Sequence, residues 1–442
     1  MKRILVAGAG HGGLAAGAIL AKNGFDVTVV EKEQREALGH DWEDRFTFSL
    51  LTELLGIAEA DLPEGCWRYR GDCAFVSPAK RKKVVIRYTE ETRQKIMWRK
   101  PLLNLLLEHA EKCGVKFLFG VEALGPLTEN GKVTGLSTAA GDYAADLVID
   151  AAGVFSPVRR NLPEAYGIEK DPRPGDLFYA CRAYYDRLPG FETPDAPFEV
   201  YLYHEGERGL SWFGANEDGC DVLIGRTYPL TPKKVEEQLA IFRQSHPWLG
   251  EKVLHGGQFG VIPVRRPLTL LVDDGYAAVG DSAFMTTPMN GMGIDLSLQA
   301  GKLLAETVLN NRDRDFTAEV LWAYNRDFHR LYGGDTAKNE GLKNALLSLP
   351  GQGVDFLFEA EVIQSSDLAG AGKNTKLSAL LGKFVRGMRQ PKSFFTILGG
   401  LTKGAKAAKL YKNAPARFDR KAVRAWSDAI EKLDIRFYSS AN

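Results

Sequence analysis

Two glycine-rich turns carry the residues whose types and spacing point to chemistry. The first, Gly8-Ala9-Gly10-His11-Gly12-Gly13, fits GxGxxG between the apolar run RILVA (3–7) and the helical stretch LAAGAILAKNG. A second apolar run, FDVTVVEKE, brings the chain to Glu31 with Lys32 beside it. In such a turn the first glycine permits the tight bend. The second lets backbone approach a pyrophosphate, and the third lets helix and strand pack closely. The helix start adds free N–H groups and a positive dipole end for phosphates. Glu31 lies 18 residues past Gly13, where a carboxylate accepts from adenosine ribose hydroxyls. Strand, turn, helix, strand and acid together predict a dinucleotide site.

The second turn lies in 275–311, which reads as a strand, Gly280-Asp281, an irregular loop with Pro288, and a long helix beyond Gly291-Met292-Gly293-Ile294. A carboxylate at a strand end suits a polyol hydroxyl such as those of a flavin ribityl chain. A glycine-rich loop opening a helix suits the flavin O2 and N1 edge, where the helix dipole stabilises negative charge on the reduced ring. NAD has no ribityl chain, so the pair of turns predicts FAD.

Together these motifs resemble the FAD-binding fold of the para-hydroxybenzoate hydroxylase family, over most of residues 1–335. Trp98-Arg99-Lys100 resembles the family's arginine that reaches the FAD phosphate region. DLVIDAAGVFSPVRR (146–160) resembles its DGxxSxxR segment, with Gly153, Ser156 and Arg159 in place and Ala152 where the Asp belongs. In the monooxygenases that Asp helps organise the FAD and NADPH regions, so Ala152 speaks against hydroxylase-style NADPH use. Within the superfamily, 262–283 and 291–306 are similar to the geranylgeranyl reductase branch. Trp212 and Phe213 in GLSWFGAN match part of that branch's YxWxFPK-like motif, without its Pro-Lys pair. Where some members carry a cysteine near the flavin, this chain has Leu38-Gly39-His40-Asp41-Trp42.

The resemblance implies an α/β protein: a Rossmann-like FAD-binding domain of the hydroxylase type with an inserted β-rich substrate domain. It implies an FAD-dependent oxidoreductase that reduces carbon–carbon double bonds of a small hydrophobic substrate, isoprenoid or quinone-like, by hydride transfer from flavin N5. The alternatives are an FAD-dependent aromatic monooxygenase using NAD(P)H and O2, and a non-catalytic flavin electron carrier. A hydride on one alkene carbon needs a proton on the other. His40 and Asp41, in a polar loop after the cofactor-binding unit, are the candidate donors. Trp212 is the third catalytic candidate, and it and the other aromatics of 176–260 are candidate pocket walls. No second GxGxxG follows a strand, so electrons are expected from transiently bound NAD(P)H or a reduced protein such as ferredoxin.

The elements that must position these groups divide 442 residues into an interrupted FAD domain (1–175 and 262–335) and a substrate domain (176–261, with strands from about 76–98). A helical, basic C-terminal segment (336–442) follows. Five scattered cysteines without CxxC spacing argue against a disulfide framework or zinc site, and seven histidines lack HExxH spacing. No metal is expected. With no visible export signal and no apolar run long enough to span a bilayer, a cytoplasmic location is expected. The net charge of +1 hides an asymmetry, because 373–424 carries fourteen Lys or Arg against one acid. Leu377, Leu380, Leu381, Phe384, Val385 and Met388 recur there at helical spacing. That mixture suits peripheral contact with the inner face of an anionic membrane. Packing on the core is the competing expectation, and nucleic acid is not expected.

Overall fold

The computed structural model describes residues 1–442 apart from 193–194, 217–218, 369–376 and 434–442. The side chains of Leu377, Leu380 and Leu381, part of the apolar pattern above, also lie outside the described residues.

A six-stranded sheet organises the nucleotide-binding part, in the order 272–273, 276–278, 147–150, 3–7, 26–31, 116–119. All its pairings are parallel except the 272–273 edge. Ile4, Val6, Val27, Val29, Val148 and Ile149 are fully buried. That near-continuous apolar content is what a parallel sheet covered on both faces requires. Helices His11–Lys22, Arg99–Lys112 and Ile294–Leu309 provide cover. The first and last of these pack so closely that a Cβ on Gly301 would sit 2.4 Å from the Gly12 carbonyl. A three-stranded antiparallel meander (123–129, 132–138, 141–144) is added at one side.

The second body is a seven-stranded sheet, in the order 249–263, 177–187, 220–226, 209–215, 198–202, 73–76, 83–86. Its strands alternate as a sheet with two different faces must. Cys181, Ala183, Tyr185, Val222 and Ile224 turn towards helix Pro232–Ser245 and pack with Phe242 and Leu239. Arg182, Tyr184, Trp212, Asp221 and Leu223 turn the other way, into a large cavity. Of the stretch 76–98, the strand 83–86 joins this sheet, whereas 95–98 lies at the centre of a third sheet between 43–45 and 67–69.

The basic C-terminal segment is helical and divided in its contacts. Helices Gly334–Ser348 and Pro391–Lys412 cross at a glycine seam, where a Cβ on Gly341 would meet the Gly400 carbonyl at 2.5 Å. Tyr411 is fully buried and donates to the Pro267 carbonyl (2.9 Å), while Trp426 on helix Arg420–Glu431 donates to the Leu410 carbonyl (2.8 Å). The faces carrying Phe384, Val385, Met388, Phe395, Leu398 and Leu401 are exposed. Among the described residues, no helix is long and apolar enough to cross a membrane.

Candidate active site

A cavity of about 990 Å³ lies between the six-stranded sheet and the inward face of the seven-stranded sheet. The two glycine-rich turns meet at its floor. Gly8 adopts φ +88, and a Cβ there would lie 2.6 Å from the Ala151 carbonyl, so only glycine fits. A Cβ on Gly10 would meet the same carbonyl at 2.9 Å, so strand 147–150 and its following turn, as well as any phosphate, require glycine at this position. Gly13 presses on Ala151 and Val6. Helix His11–Lys22 begins with no side-chain cap, and so does helix Ile294–Leu309 behind Gly293. Two uncapped positive helix ends therefore serve one cavity.

Glu31 is buried and holds its own loop, accepting from Ala9 N–H (2.7 Å) and Glu33 N–H (2.9 Å). Its remaining lone pairs are those available to a ribose. Lys32 points to solvent, 3.8 Å from Glu33. Arg99 is spread over several groups: it forks onto Asp44 (Nη2–Oδ1 2.8 Å) and donates to His40 Nδ1 (3.3 Å). Gly153 and Gly280 both have positive φ at the cavity wall. Asp281 faces the cavity, and desolvation pushes its carboxyl up to about 6, against the pull of Arg99. In the loop beyond, Pro288 is buried, Gly291 has φ +69, and a Cβ on Gly293 would strike Thr286 at 2.8 Å. Met292 directs its sulfur at Arg45, and Ile294 is buried at the helix start.

His11, an unspecified position of GxGxxG, was not singled out by its sequence context. Its Nε2 is buried without a hydrogen-bond partner, and desolvation, then Arg99, lowers its pKa to about 4. A neutral imidazole with an unsatisfied nitrogen, the two uncapped helix ends and the Asp281 carboxyl all border one cavity. That donor and acceptor set fits a flavin dinucleotide.

The candidate proton donors separate on geometry. His40 stacks on Trp42 at 4.0 Å and accepts from Arg99 through Nδ1, so its single N–H lies on Nε2 and is directed at the Phe259 carbonyl (3.3 Å). Burial, then Arg99, lowers its pKa, and its N–H is engaged by a backbone carbonyl rather than aimed into the cavity. Asp41 Oδ2 accepts instead from His255 Nδ1 (3.2 Å), across 214 residues of chain. The His255 ring lines the cavity and packs against Trp98 at 4.7 Å. Trp212 also lines the cavity, but its N–H is committed to Asp221 Oδ1 (3.1 Å). Ser156 caps the short helix Pro157–Arg160 and donates to Asp150, while Arg159 is buried on backbone carbonyls. These two therefore brace the wall near Gly153.

Comparison with known proteins agrees with a flavin cofactor. The FAD binding domain family matches residues 1–330. The chain belongs to that family. It is an FAD-dependent oxidoreductase. Among curated relatives, the digeranylgeranylglycerophospholipid reductase of Methanothrix thermoacetophila is 27% identical, with 83% of this chain and 92% of the relative covered. The enzyme of the same name from Sulfolobus acidocaldarius is 23% identical, over 77% of this chain and 78% of the relative. Among solved structures, a geranylgeranyl bacteriochlorophyll reductase-like protein of Thermoplasma acidophilum superposes with a TM-score of 0.71 at 19% identity. It covers 90% of this chain and 99% of its own, a likeness of fold.

Proposed function

We propose that this FAD-dependent oxidoreductase saturates carbon–carbon double bonds of a polyprenyl lipid. The observation that carries the reading is the shape of the cavity, which runs under all seven strands of the substrate sheet. Seven strands at about 4.8 Å spacing make a slot roughly 29 Å wide. Its inner edge lies at the glycine turns, and its outer edge carries Phe75, Ile86 and Leu368. An extended isoprenoid chain fits such a slot, and the curated relatives named above are reductases of a doubly geranylgeranylated lipid.

Reduced FAD supplies the hydride for one alkene carbon. The chain supplies the rest. Trp98, Tyr184 and Trp212 form a wall that aligns the alkene and excludes water. Asp41 holds the His255 ring through Nδ1, which leaves Nε2 to deliver the proton to the other carbon. Arg182 lies over the rings of both Tyr184 and Trp212 at 5.0 Å and fixes that wall.

The exposed apolar and basic face of 383–409 is the surface through which the lipid would arrive. Among residues 373–418 there are no acids, which suits an anionic membrane.

The test is anaerobic reduction of the bound flavin, then addition of geranylgeraniol in detergent or of air. Reoxidation by the alkene, with a product two hydrogens heavier, supports the reading. Slow reoxidation by alkenes but fast reaction with oxygen that is stimulated by aromatic compounds would replace it with a monooxygenase.

A further inference from the structure

The third sheet places three arginines on one face. Arg45 and Arg68 both register with Ile96, from opposite sides. Arg70 continues the second strand, its N–H on the Gln94 carbonyl (2.8 Å), so it shares the face of Arg68. All three line the cavity. One is neutralised: Arg68 forks onto Glu43 at 2.7 Å through Nε and Nη2. The other two are not. Among the described residues, Arg45 bonds to the neutral Gln94 and to Met292 sulfur, and Arg70 reaches Cys73 sulfur (3.9 Å) and the face of Phe198 (3.9 Å). Among the described residues, neither forms an ion pair with a nearby acid. Asp72 binds Arg87 and Tyr88 N–H, and Asp295 binds Thr47 through both oxygens. Burial, then Arg70, lowers the pKa of Arg45. By contrast Arg99, Arg182, Arg265 and Arg266 each hold a carboxylate.

Two unneutralised guanidinium groups in one cavity repel each other and are poorly solvated. An anion with several acceptor oxygens relieves both costs, because guanidinium forks match phosphate geometry. Resting on the polyprenyl reductase reading of this cavity, we infer that Arg45 and Arg70 form a subsite for a phosphate-type head group of the lipid substrate. The apolar slot beside it, with Phe75, Ile86 and Val200, takes the chain.

The test uses oxidised, FAD-loaded protein, in which binding is read without turnover. Calorimetric titration compares farnesyl phosphate, farnesol and inorganic phosphate. The expected result is farnesyl phosphate binding at least about tenfold tighter than farnesol, with inorganic phosphate far weaker than either. In R45Q/R70Q the preference should disappear, and in the single variant R70Q it should shrink, with the flavin spectrum unchanged. Equal binding of phosphate and alcohol, or a preference that survives both substitutions, overturns the subsite. Inorganic phosphate binding as tightly as farnesyl phosphate assigns the site to a free anion, and loss of flavin from both variants assigns it to the cofactor. Either result removes the lipid head group. Should farnesyl phosphate bind through the arginines and yet never reoxidise the reduced flavin, the subsite stands and the reductase reading falls.

Discussion

Arg182 and Asp221 form a buried two-pronged ion pair on the cavity face of the substrate sheet, Nε to Oδ1 at 2.9 Å and Nη2 to Oδ2 at 2.7 Å. Arg182 also donates to the Glu43 carbonyl, and Asp221 accepts the Trp212 N–H. One charge pair thus ties the seven-stranded sheet to the three-stranded one. The substitution D221L leaves Arg182 charged and unpaired, at a cost of about 3–5 kcal/mol. R182M/D221L removes both charges and should recover most of it. Thermal unfolding of the three proteins checks this; a double variant as unstable as D221L would show that packing, not the charge, is decisive.

Asp281 predicts a pH-dependent trade between stability and cofactor affinity. Its folded carboxyl keeps a proton to about pH 6, whereas its ordinary value is 3.8. Between those values the folded chain binds more protons than the unfolded chain, so stability falls as pH rises through the window. In flavin-free protein D281N should raise the melting temperature at pH 8, and the gain should fade as pH drops from 6 to 4. The same substitution exchanges a charged acceptor for a neutral one and should weaken FAD binding about tenfold. A melting gain independent of pH would remove the carboxyl as its source.

Gly301 controls how closely helices His11–Lys22 and Ile294–Leu309 approach. With the Gly12 carbonyl 2.4 Å from where a Cβ would lie, G301A must push the helices apart. Overpacking of this kind costs about 1–3 kcal/mol. Because Gly12 belongs to the first glycine turn, flavin content after purification should fall with stability. Unchanged stability with full flavin loading would mean that the helices slide without cost.

The glycine turns were legible because their signals are local: Gly8 to Glu31 is one continuous turn–helix–strand passage, and Gly280 to Ile294 is a single turn and loop leading into a helix. The reactive side was less so. Asp41 was singled out for its polar loop, but its partner His255 lies on a strand 214 residues away, and nothing in HGGQFG announces the pairing. His40 looked as suitable as Asp41 until the Phe259 carbonyl was found at its only N–H. Trp212 was read as a reacting residue because spacing reveals that an indole is present, not that its N–H is already bound. Arg45, Arg68 and Arg70 share a face only because strand 95–98 pairs on both sides. That is a long-range register with no alternating pattern in such short strands.

The two imidazoles then make opposite predictions. H255Q should lower the rate of flavin reoxidation by an alkene at least about a hundredfold, the usual scale for a general acid. It should also abolish the descending limb of the rate against pH, and D41N, which releases the ring from its hydrogen bond, should lower the rate by a smaller factor. Burial, then Arg99, lowers the His40 pKa, and the Phe259 carbonyl holds its N–H, so H40Q should leave the shape of the pH profile unchanged. Stopped-flow reoxidation across pH 5 to 9 separates them. A profile that flattens in H40Q and persists in H255Q would exchange their roles.

The exposed face of the C-terminal helices argues for the membrane on two counts that can be separated. Val385 is 70% exposed and Phe395 50%, so their side chains have little packing to lose in the folded protein. Lys392, Lys403 and Lys406 lie on the same helix as Phe395 and add positive charge without an intervening acid. Apolar insertion contributes about 1 kcal/mol or more per side chain of this size. Each lysine adds about 1 kcal/mol near an anionic surface, a part that salt screens. In vesicle co-sedimentation, V385S/F395S/L398S should therefore weaken binding by about a hundredfold at any ionic strength, with melting temperature and flavin spectrum retained. K392Q/K403Q/K406Q should weaken binding only to vesicles containing anionic lipid, and less so as salt rises. If both triple variants bind as the parent does, the face contacts something other than lipid, and the substrate must reach the slot by another route.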